Sequence, residues 1–538
     1  MLKGIAASDG YGIGRAVVIK NADLDYSSSE FTDAESEMSR LDKAVDDFIA
    51  ETEMLSENIK NSVGESESDI LRGHIAMLND PFMRDQMTEN IKSGIAAEKA
   101  VDMTCRMFID AFSAADDELT RQRVSDIRDI RNSLLQRLLG VNNPDISTVP
   151  PDSILVAHDF TPSMTGKINR NNVCAIITET GGITSHSAIL ARAMGIPAVL
   201  SADNASDIIK NGDMLICDGF SGEIILDAND SDIEKYRRLR YDFFAKKELL
   251  KVYINKKTAT ADGEKKSVCA NIGRAEEIES VIENGGDGIG LFRTEFLFMD
   301  RAAQPSEKEQ LKTYAAAAKA MNGKEVIIRT LDIGGDKNIP YLLTEKEDNP
   351  FLGFRGIRYC LDNKEIFKTQ IRAVLQAAVY GNIKIMLPII TSVDEVCKAK
   401  ELIKECENEL CSENKDYRSV PLGIMIETPA AALISDILAA EADFFSIGTN
   451  DLTGYVMAAD RGNPKVSKLC DFFHPAVLRA IEMTVKNAKR AGIRVGMCGE
   501  AAADERLISH LLDWGIDELS VTPRSILQTR KAICEYKA

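Results

Sequence analysis

Hydrophobic residues recur every three or four positions through a long stretch that begins near Thr32. Met38, Leu41 and Val45 share one face of a helix at this spacing, which is the mark of an amphipathic helix. Four further segments repeat the pattern, at residues 70–78, 83–91, 96–112 and 119–139. The pattern predicts an all-helical unit of about 110 residues, which opens at a predicted capping box formed by Thr32 and Glu35.

Short apolar runs of strand type flank this helical unit on both sides. One run, Arg15–Ile19, precedes it, and nothing adjacent in sequence completes a sheet for that run. After Pro150 and Pro151 five more runs follow, at residues 154–157, 173–177, 198–200, 214–217 and 223–226. We therefore predict a small α/β domain whose early strand is separated from the others by the inserted helical unit.

The last part of the chain alternates between short apolar runs and helical stretches. Eight runs are present, at residues 268–272, 288–292, 326–330, 384–390, 422–426, 444–447, 494–497 and 518–521. Eight strands with helices between them predict a closed (β/α)8 barrel, and a doubly wound open sheet is the alternative. Residues 229 to about 256 are rich in charge and lack helix breakers, so they predict a connecting helix rather than a flexible linker.

The chain is therefore predicted to be a multidomain α/β protein. The predicted segments are residues 1–22 for the first part of the small α/β domain, 23–146 for the helical subdomain, 147–228 for the rest of the α/β domain, 229–258 for the helical linker and 259–538 for the barrel. A chain of 538 residues is too long for one hydrophobic core, which agrees with this division.

Composition narrows the functional classes. The net charge of −19 argues against a nucleic-acid partner, which would favour a basic surface, and it would suit a basic protein partner. The eleven cysteines are scattered without a C-x-x-C pair, so neither a zinc site nor a disulfide framework is indicated. The amino terminus has no long apolar core, and no run approaches membrane-spanning length. We therefore expect a reduced, cytoplasmic setting without membrane insertion.

One stretch, residues 173–199, combines a strand, two adjacent glycines and a helix start around His186. A helix start presents free backbone N–H groups and a positive dipole end, which favour an anion and a neutral imidazole. His186 is therefore a candidate nucleophile beside a phosphate site, where Thr184, Ser185 and Arg192 could orient and charge-balance a phosphoryl group. The alternative is a histidine that only caps the helix or packs against the strand.

Polar residues follow the predicted barrel strands at the end where each strand stops. In such barrels the chemistry gathers at the carboxyl ends of the strands. Arginine pairs with two oxygens of a carboxylate or phosphate and lysine supplies a point charge, so a cationic group there suits a small substrate that carries both anions. The candidates are Arg293, Arg329, Arg355, Arg461 and Lys337, with Asn450 and Cys498 at two further strand ends. For any one arginine alone, a surface ion pair is the alternative.

Two carboxylates on different strands form a second chemical group. Glu427 follows one predicted barrel strand, and Asp451 follows the next one along the chain. Mg²⁺ is commonly held by one or two carboxylates, while substrate oxygens and water complete its octahedron. We therefore predict a Mg²⁺ site at Glu427 and Asp451, with helix capping as the alternative for Asp451.

The string GGITSHSAILAR around His186 closely resembles the phosphohistidine signature of the phosphoenolpyruvate-utilising enzymes. The chain as a whole is similar to the Enzyme I family of the bacterial sugar phosphotransferase system. Further motifs that carry the resemblance are residues 288–299, 329–337, 349–358, 423–430, 446–453 and 496–500 in the barrel, and 73–78 and 124–130 in the helical unit. The resemblance implies transfer of the phosphoryl group of phosphoenolpyruvate (PEP), through phosphohistidine at His186, to the phosphocarrier protein HPr, with release of pyruvate at the start of sugar uptake.

The same resemblance implies roles for individual residues at the barrel. Arg293, Arg329 and Arg461 would hold PEP, with Arg355, Lys337, Asn450 and Asp451 also in the substrate site. Glu427 and Asp451 would ligate Mg²⁺, and Cys498 would give a proton to the enolate carbon as pyruvate forms. Without the family, a lone cysteine is as readily interpreted as a small buried hydrophobe.

In the amino-terminal half, the resemblance implies that Thr165 and Asp129 orient the active histidine. It also implies that the helical subdomain docks HPr and that the barrel forms a homodimer. His74 lies in one of the shared motifs, and we interpret it as structural. Since His186 and the barrel belong to different predicted domains, the resemblance further implies a large hinge motion between them.

Two other functions are open alternatives. A dikinase or PEP synthase shares the histidine and barrel motifs, but that chemistry needs a nucleotide domain, and the helical insert contains no Gly-rich phosphate loop. A regulatory scaffold that keeps the fold without catalysis is the other alternative. The intact cationic, carboxylate and thiol positions argue against it.

Overall fold

The computed structural model divides into two compact units, Met1–Lys247 and Glu248–Ala538. It describes all residues except 1, 20–23, 63–64, 114–117, 142–145, 161–163, 165–166, 183–184, 300, 302, 335–338, 340, 343–346, 462, 464 and 538, and only the backbone of 58–62, 65–70, 118–122, 186 and 193. Among the helices it describes, none is both long and apolar enough to span a bilayer.

The first unit contains one eight-stranded sheet. Its strands are β1 (Leu2–Lys3), β2 (Ile5–Ser8), β3 (Tyr11–Ile19), β4 (Ser153–Ala157), β5 (Val173–Thr178), β6 (Ala198–Leu200), β7 (Met214–Asp218) and β8 (Glu223–Ile225). The order across the sheet is β1-β8-β7-β3-β4-β5-β6-β2. The four strands from β3 to β6 are parallel, with antiparallel strands on both sides. The carboxyl ends of β4 and β5 therefore meet at one edge of the sheet.

The early strand predicted at Arg15–Ile19 is confirmed as part of β3. Its partners come from beyond the helical unit, because Ala16 pairs with Ile154 of β4 and Gly14 pairs with Leu215 of β7. The sequence pattern does not predict β1 and β2, since strands of two and four residues are too short to show a period.

The insertion between β3 and β4 is helical, as predicted. Its helices are α1 (Ala34–Ser62), α2 (Glu65–Leu78), α3 (Pro81–Lys92), α4 (Ala97–Ser113) and α5 (Glu118–Leu139). The apolar stripes of these helices meet in one core, to which Leu41, Met87, Val101 and Ile130 contribute fully buried side chains. The burial of these stripes holds the helices together, because packing of an amphipathic face supplies most of the stability of helices in proteins.

The start of α1 corrects one detail of the sequence analysis. The predicted capping box of Thr32 and Glu35 is wrong. Asp33 precedes the helix, and its Oδ1 accepts a hydrogen bond from Ser36 N at 2.9 Å, whereas Thr32 Oγ1 donates to Glu37 Oε1 at 3.0 Å. Aspartate is a strong N-cap, and its negative charge is stabilised by the positive end of the helix dipole. Asp33 therefore caps α1 in place of the predicted Thr32.

The helices described after the insertion in this unit are α6 (His186–Met194), α7 (Ala205–Ile208) and α8 (Asp230–Leu250). The segment predicted as a connecting helix forms α8, which continues into a 3-10 turn at Lys251–Tyr253.

The second unit is a closed barrel of parallel strands. They are β9 (Ser267–Ile272), β10 (Gly288–Arg293), β11 (Glu325–Arg329), β12 (Asn382–Leu387), β13 (Leu422–Ile426), β14 (Phe444–Gly448), β15 (Arg494–Cys498) and β16 (Glu518–Val521). The last strand pairs with the first, with Leu519 beside Val268. The predicted (β/α)8 barrel is therefore confirmed, and the alternative of an open sheet is wrong.

Helices surround the barrel between successive strands. They are α9 (Ile278–Glu283), α10 (Glu295–Phe298), α11 (Glu307–Ala320), α12 (Ile357–Asp362), α13 (Lys364–Ala377), α14 (Val393–Ser412), α15 (Pro429–Leu433), α16 (Ser435–Leu438), α17 (Thr449–Met457), α18 (Pro475–Ala491), α19 (Glu505–Trp514) and α20 (Ile526–Glu535). The barrel interior is packed by Leu291, Ile327, Met386, Met425 and Phe444, with Cys498 in the same cluster.

A buried arginine on the last helix, α20, binds the segment that precedes the first barrel strand. Arg530 is 1% exposed, and its Nη1 donates to the carbonyls of Tyr253 and Ile254 at 2.9 and 3.0 Å. Its Nε donates to Thr258 Oγ1 at 2.9 Å, and its Nη2 lies 3.2 Å from Asp287 Oδ1. The guanidinium of Arg530 on α20 therefore holds the segment between α8 and β9 against the last helix of the barrel.

We expect Arg530→Met to lower the free energy of unfolding of the barrel by about 2–3 kcal/mol, because the carbonyls of Tyr253, Ile254 and Gly285 and the carboxylate of Asp287 would lose their buried partner. Urea unfolding followed by the fluorescence of Trp514, the chain's single tryptophan, measures this unit. Lys531→Met is the matched control. Lys531 is next in sequence and half exposed, and its ion pair with Glu535, at 4.0 Å, is long and therefore weak. A shift no larger for Arg530→Met than for this control would contradict the prediction.

Candidate active site

Arg329 is the last residue of β11 and lies buried at the mouth of the barrel. Its Nη2 lies 2.8 Å from Glu295 Oε1, and its Nη1 lies 3.2 Å from Asp332 Oδ2. Burial alone would lower the pKa of Arg329, but the carboxylates of Glu295 and Asp332 outweigh it and raise the pKa. The guanidinium is therefore a permanent positive charge in a site with little water.

Arg355 lies between a 3-10 turn and α12, and it joins the same cluster. Its Nη2 is 2.9 Å from Asp332 Oδ2 and 3.2 Å from Asp451 Oδ2, and its Nη1 donates to Tyr455 Oη at 3.4 Å. Burial acts to lower the pKa of Arg355, but the carboxylates of Asp332 and Asp451 outweigh burial and raise the pKa. Asp332 therefore bridges two arginines that are far apart in sequence.

Glu427 follows β13 and is a buried carboxylate, 2% exposed. Its Oε1 accepts a hydrogen bond from Ile389 N at 2.7 Å. Burial raises the pKa of Glu427, the negative charges of Asp451 and Asp332 raise it further, and Arg329 and Arg355 only partly oppose this. The neighbouring arginines thus leave negative charge at Glu427 incompletely balanced.

This donor set fits a divalent cation. Glu427 and Asp451 offer hard carboxylate oxygens, and a cation between them would supply the positive charge that the raised pKa of Glu427 shows to be missing. In the described part of the chain, no three His, Cys, Asp or Glu side chains are grouped to hold a metal ion. A bound Mg²⁺ would therefore take the rest of its ligands from water and substrate.

Cys498 is the last residue of β15, and its side chain faces the barrel interior, 2% exposed. Ser446 Oγ donates to its sulfur at 3.3 Å, and the thiol lies 3.7 Å from the carbonyl of Ile447. Burial raises the pKa of Cys498 to about 11. The thiol is therefore protonated at neutral pH, which suits a proton donor better than a nucleophile.

Gly499 allows the chain to turn sharply after this thiol. Its φ is +114°, and a Cβ here would lie 2.4 Å from Thr449 Oγ1, so only glycine fits. Thr449 Oγ1 donates to the carbonyl of Cys498 at 3.4 Å, and Asn450 Oδ1 accepts from Glu500 N at 3.3 Å. The start of α17 and the end of β15 are thus held together, which brings Asn450 to the same mouth.

The remaining predicted barrel residues differ in their placement. Arg293 is the half-buried last residue of β10, and its charge acts to lower the pKa of Cys498 against the effect of burial. Arg461 is exposed in a turn after α17, and within the described residues no hydrogen bond or ion pair joins it to the cluster. Lys337 lies outside the described residues.

His186 is the first residue of α6, as the sequence analysis predicts. Ser185 Oγ caps the helix by accepting from Ala188 N at 3.3 Å, and Gly195 ends it in the left-handed conformation. Gly181, with φ of +102°, makes the turn between β5 and this helix. Arg192, predicted to balance a phosphoryl group, donates from Nη1 to the carbonyl of Ala7 at 3.2 Å.

The two residues predicted to orient His186 remain predictions. Thr165, like Thr184, lies outside the described residues, and only the backbone of His186 is described. Asp129 is buried on α5, where its Oδ2 lies 3.8 Å from Nδ1 of the fully buried His74. The other ring nitrogen of His74 lies 3.3 Å from Asp126 Oδ1, and this enclosed position agrees with a structural role for His74.

Glu295 and Asp332 hold the arginines in place, and neither is among the site residues predicted from the sequence. A signal existed, because each follows a barrel strand by only two or three residues. Tyr455 and Ser446 gave no such signal. Their contacts join side chains that are about 50 to 100 positions apart in sequence.

Three sequence profiles match this chain. The profile described as the PEP-binding domain of PEP-utilising enzymes matches residues 247–538. The profile described as the mobile domain of these enzymes matches residues 149–222, and the one described as N-terminal matches residues 3–123. The first of these alone covers more than half of the chain.

Curated relatives resemble the chain over almost its whole length. The phosphoenolpyruvate-protein phosphotransferase of Listeria monocytogenes is 43% identical over 534 residues, which is 99% of this chain and 93% of the relative. That of Bacillus subtilis is 42% identical over 99% of this chain and 94% of its own length. That of Staphylococcus epidermidis is 40% identical over 99% and 94%, respectively. The chain belongs to the phosphoenolpyruvate-protein phosphotransferases, the Enzyme I family of PEP-utilising enzymes.

Proposed function

We propose that this chain transfers the phosphoryl group of PEP, through phosphohistidine at His186, to the phosphocarrier HPr and so initiates sugar uptake and phosphorylation. The observation that carries the proposal is the buried group at the barrel mouth, where Arg329 and Arg355 lie among carboxylates near the protonated thiol of Cys498. Family membership supports the same reaction.

In this proposal PEP binds through its two anionic groups. Arg293, Arg329 and Arg461 hold the substrate, with Arg355, Lys337, Asn450 and Asp451 completing the site. Arg329 supports this role, because its Nε is buried and has no hydrogen-bond partner among the described residues. A buried donor without a partner is unfavourable, so an anionic substrate oxygen placed there would satisfy it.

Mg²⁺ would be held by Glu427 and Asp451. It would offset the charge that spreads over the oxygens of the transferring phosphoryl group. The raised pKa of Glu427, caused first by burial and then by Asp451, supports a cation at this position.

The chemistry divides into two transfers. The imidazole Nε2 of His186 attacks the phosphorus of PEP, so that a P–N bond forms, the P–O bond to the enol oxygen breaks, and pyruvate enolate remains. The Cys498 thiol gives its proton to the enolate carbon and regains one from water. The phosphoryl group then passes from His186 to a histidine of HPr. Because His186 and Cys498 belong to different units, a hinge motion between the units delivers the imidazole to the substrate in this proposal.

Further parts of the proposal concern partners and setting. Thr165 and Asp129 orient the active histidine, and the helical subdomain formed by α1–α5 docks HPr. The barrel forms a homodimer. We propose a cytoplasmic location, which the free state of all eleven cysteines supports, because a reducing compartment keeps thiols unpaired.

Labelling with [32P]PEP tests the proposal directly. In the presence of Mg²⁺ we expect one acid-labile, alkali-stable phosphate per chain, mapped to His186, together with pyruvate in equal amount. Chelation of Mg²⁺ should reduce labelling by about 10²-fold or more. Absence of label at His186 would contradict the proposal, and labelling of His186 by ATP would favour the dikinase alternative instead.

A further inference from the structure

After β11 the strand ladder ends at Thr330, whose N–H donates to the carbonyl of Met386 at 2.9 Å, and side chains hold the two residues that follow. Leu331 N donates to Gln370 Oε1 at 2.9 Å, and Asp332 N donates to Glu295 Oε1 at 3.1 Å. Buried backbone N–H groups require partners, and here the partners come from other elements. These two side chains therefore fix the backbone at Leu331 and Asp332, directly after the last ladder bond beside Arg329.

Gln370 contacts this strand end through both the oxygen and the nitrogen of its side-chain amide. It lies on α13 and is 1% exposed, and its Nε2 donates to Thr294 Oγ1 at 3.0 Å and to Tyr314 Oη at 3.3 Å. Thr294 Oγ1 in turn donates to the carbonyl of Arg329 at 2.9 Å. The acceptor and both donors of the amide are thus in use. Gln370 therefore holds the Leu331 N–H directly, and it holds the Arg329 carbonyl indirectly, through Thr294.

The network continues away from the site, which anchors it to the barrel's outer layer. Tyr314 Oη donates to Gln310 Oε1 at 3.2 Å, and Gln310 Nε2 donates to the carbonyl of Pro305 at 3.0 Å. Gln310, Tyr314, Thr294 and Gln370 are all buried. A buried network whose members are all satisfied is rigid and has one favoured arrangement.

We propose that Gln370 is a positioning residue for phosphoryl transfer from PEP. It acts through the backbone of β11, setting the position of Arg329 and of the Asp332 carboxylate that holds Arg355. The inference rests on the function proposed above. Since displacement of a binding group by about 1 Å can lower a rate about 10²-fold, loss of the amide should slow the PEP-dependent step and leave later steps unchanged.

The test separates the two half-reactions in Gln370→Leu. Single-turnover phosphorylation of His186 by PEP should fall about 10- to 100-fold. Transfer from phosphorylated His186 to HPr, measured on enzyme loaded in reverse from phospho-HPr, should stay within about twofold of wild type. Gln376→Leu is the matched control, because Gln376 lies on the same helix, is half-buried and donates to Glu307 Oε1 at 2.6 Å. Both half-reactions should be normal in this control.

Thr294 provides a second pair of variants in case Gln370→Leu does not fold. Thr294→Val removes the hydrogen bond to the Arg329 carbonyl and should slow only the PEP-dependent step, and Thr294→Ser should restore it. A wild-type rate with PEP in Gln370→Leu and Thr294→Val would overturn the inference, and so would equal slowing of both half-reactions. If wild-type protein itself is not labelled at His186, the failure belongs to the proposed function.

Discussion

Replacement of His186 by alanine is expected to abolish phosphorylation of this protein by PEP, to at least about 10³-fold below the wild-type rate, because no phosphohistidine can form. The fold should survive. Ser185 and Gly195 cap the two ends of α6 without using the imidazole, and alanine favours a helix more than histidine does. Radiolabel incorporation from [32P]PEP in the presence of Mg²⁺ measures the effect, and circular dichroism checks the helix content.

His158→Ala is the control for this experiment. His158 lies in the same unit and is exposed, and its Nδ1 lies 2.7 Å from Glu179 Oε2, so its loss should affect only this contact. We expect wild-type labelling in His158→Ala. Labelling of His186→Ala at the wild-type rate would mean that another side chain accepts the phosphoryl group and would remove His186 from the mechanism.

Cys498→Ala should lower the rate of pyruvate formation by about 10²- to 10⁴-fold, the range for loss of a general acid. The thiol is protonated at neutral pH, because burial raises its pKa to about 11. In the wild-type protein the donor form should therefore persist as the pH rises through the neutral range, and it should be lost only near pH 11. Coupled assay of pyruvate with lactate dehydrogenase, under excess PEP and HPr, gives the rate.

Cys269→Ala provides the matched control. Cys269 is also a buried cysteine on a barrel strand, β9, but it lies beside Ser520 of β16 and not at the end of its strand. We expect pyruvate formation close to wild type in this variant. A normal rate in Cys498→Ala, with the fold verified by Trp514 fluorescence, would mean that the proton comes from water or another group.

The barrel and the strand-end residues were predictable because their signals are local. Eight apolar runs separated by helical stretches are visible along the sequence, and Arg329 and Cys498 stand at the ends of two of them. The rule that chemistry gathers at the carboxyl ends of the strands then places Glu427 and Asp451 at the same mouth without any knowledge of their contacts.

The partners of those residues could not be predicted in the same way. Arg355 pairs with Asp332 and Asp451, which are 23 and 96 positions away, and Gln370 reaches Thr294 across 76 positions. Periodicity carries no information about such distant pairs. In the hydrophobic pattern of a helix, a buried glutamine cannot be distinguished from an exposed one, because both appear only as a polar position. Only the folded barrel shows that its amide is enclosed.

The closure of β16 onto β9 has a consequence for how the protein is made. During synthesis the first barrel strand must wait for the eighth, so the nascent chain exposes two unpaired strand edges until residues 518–521 emerge from the ribosome. Unpaired strand edges promote aggregation, so we expect a chain that ends before β16 to aggregate more readily than the full chain. Any chaperone dependence of the barrel should therefore last from the formation of its first strands until β16 pairs with β9.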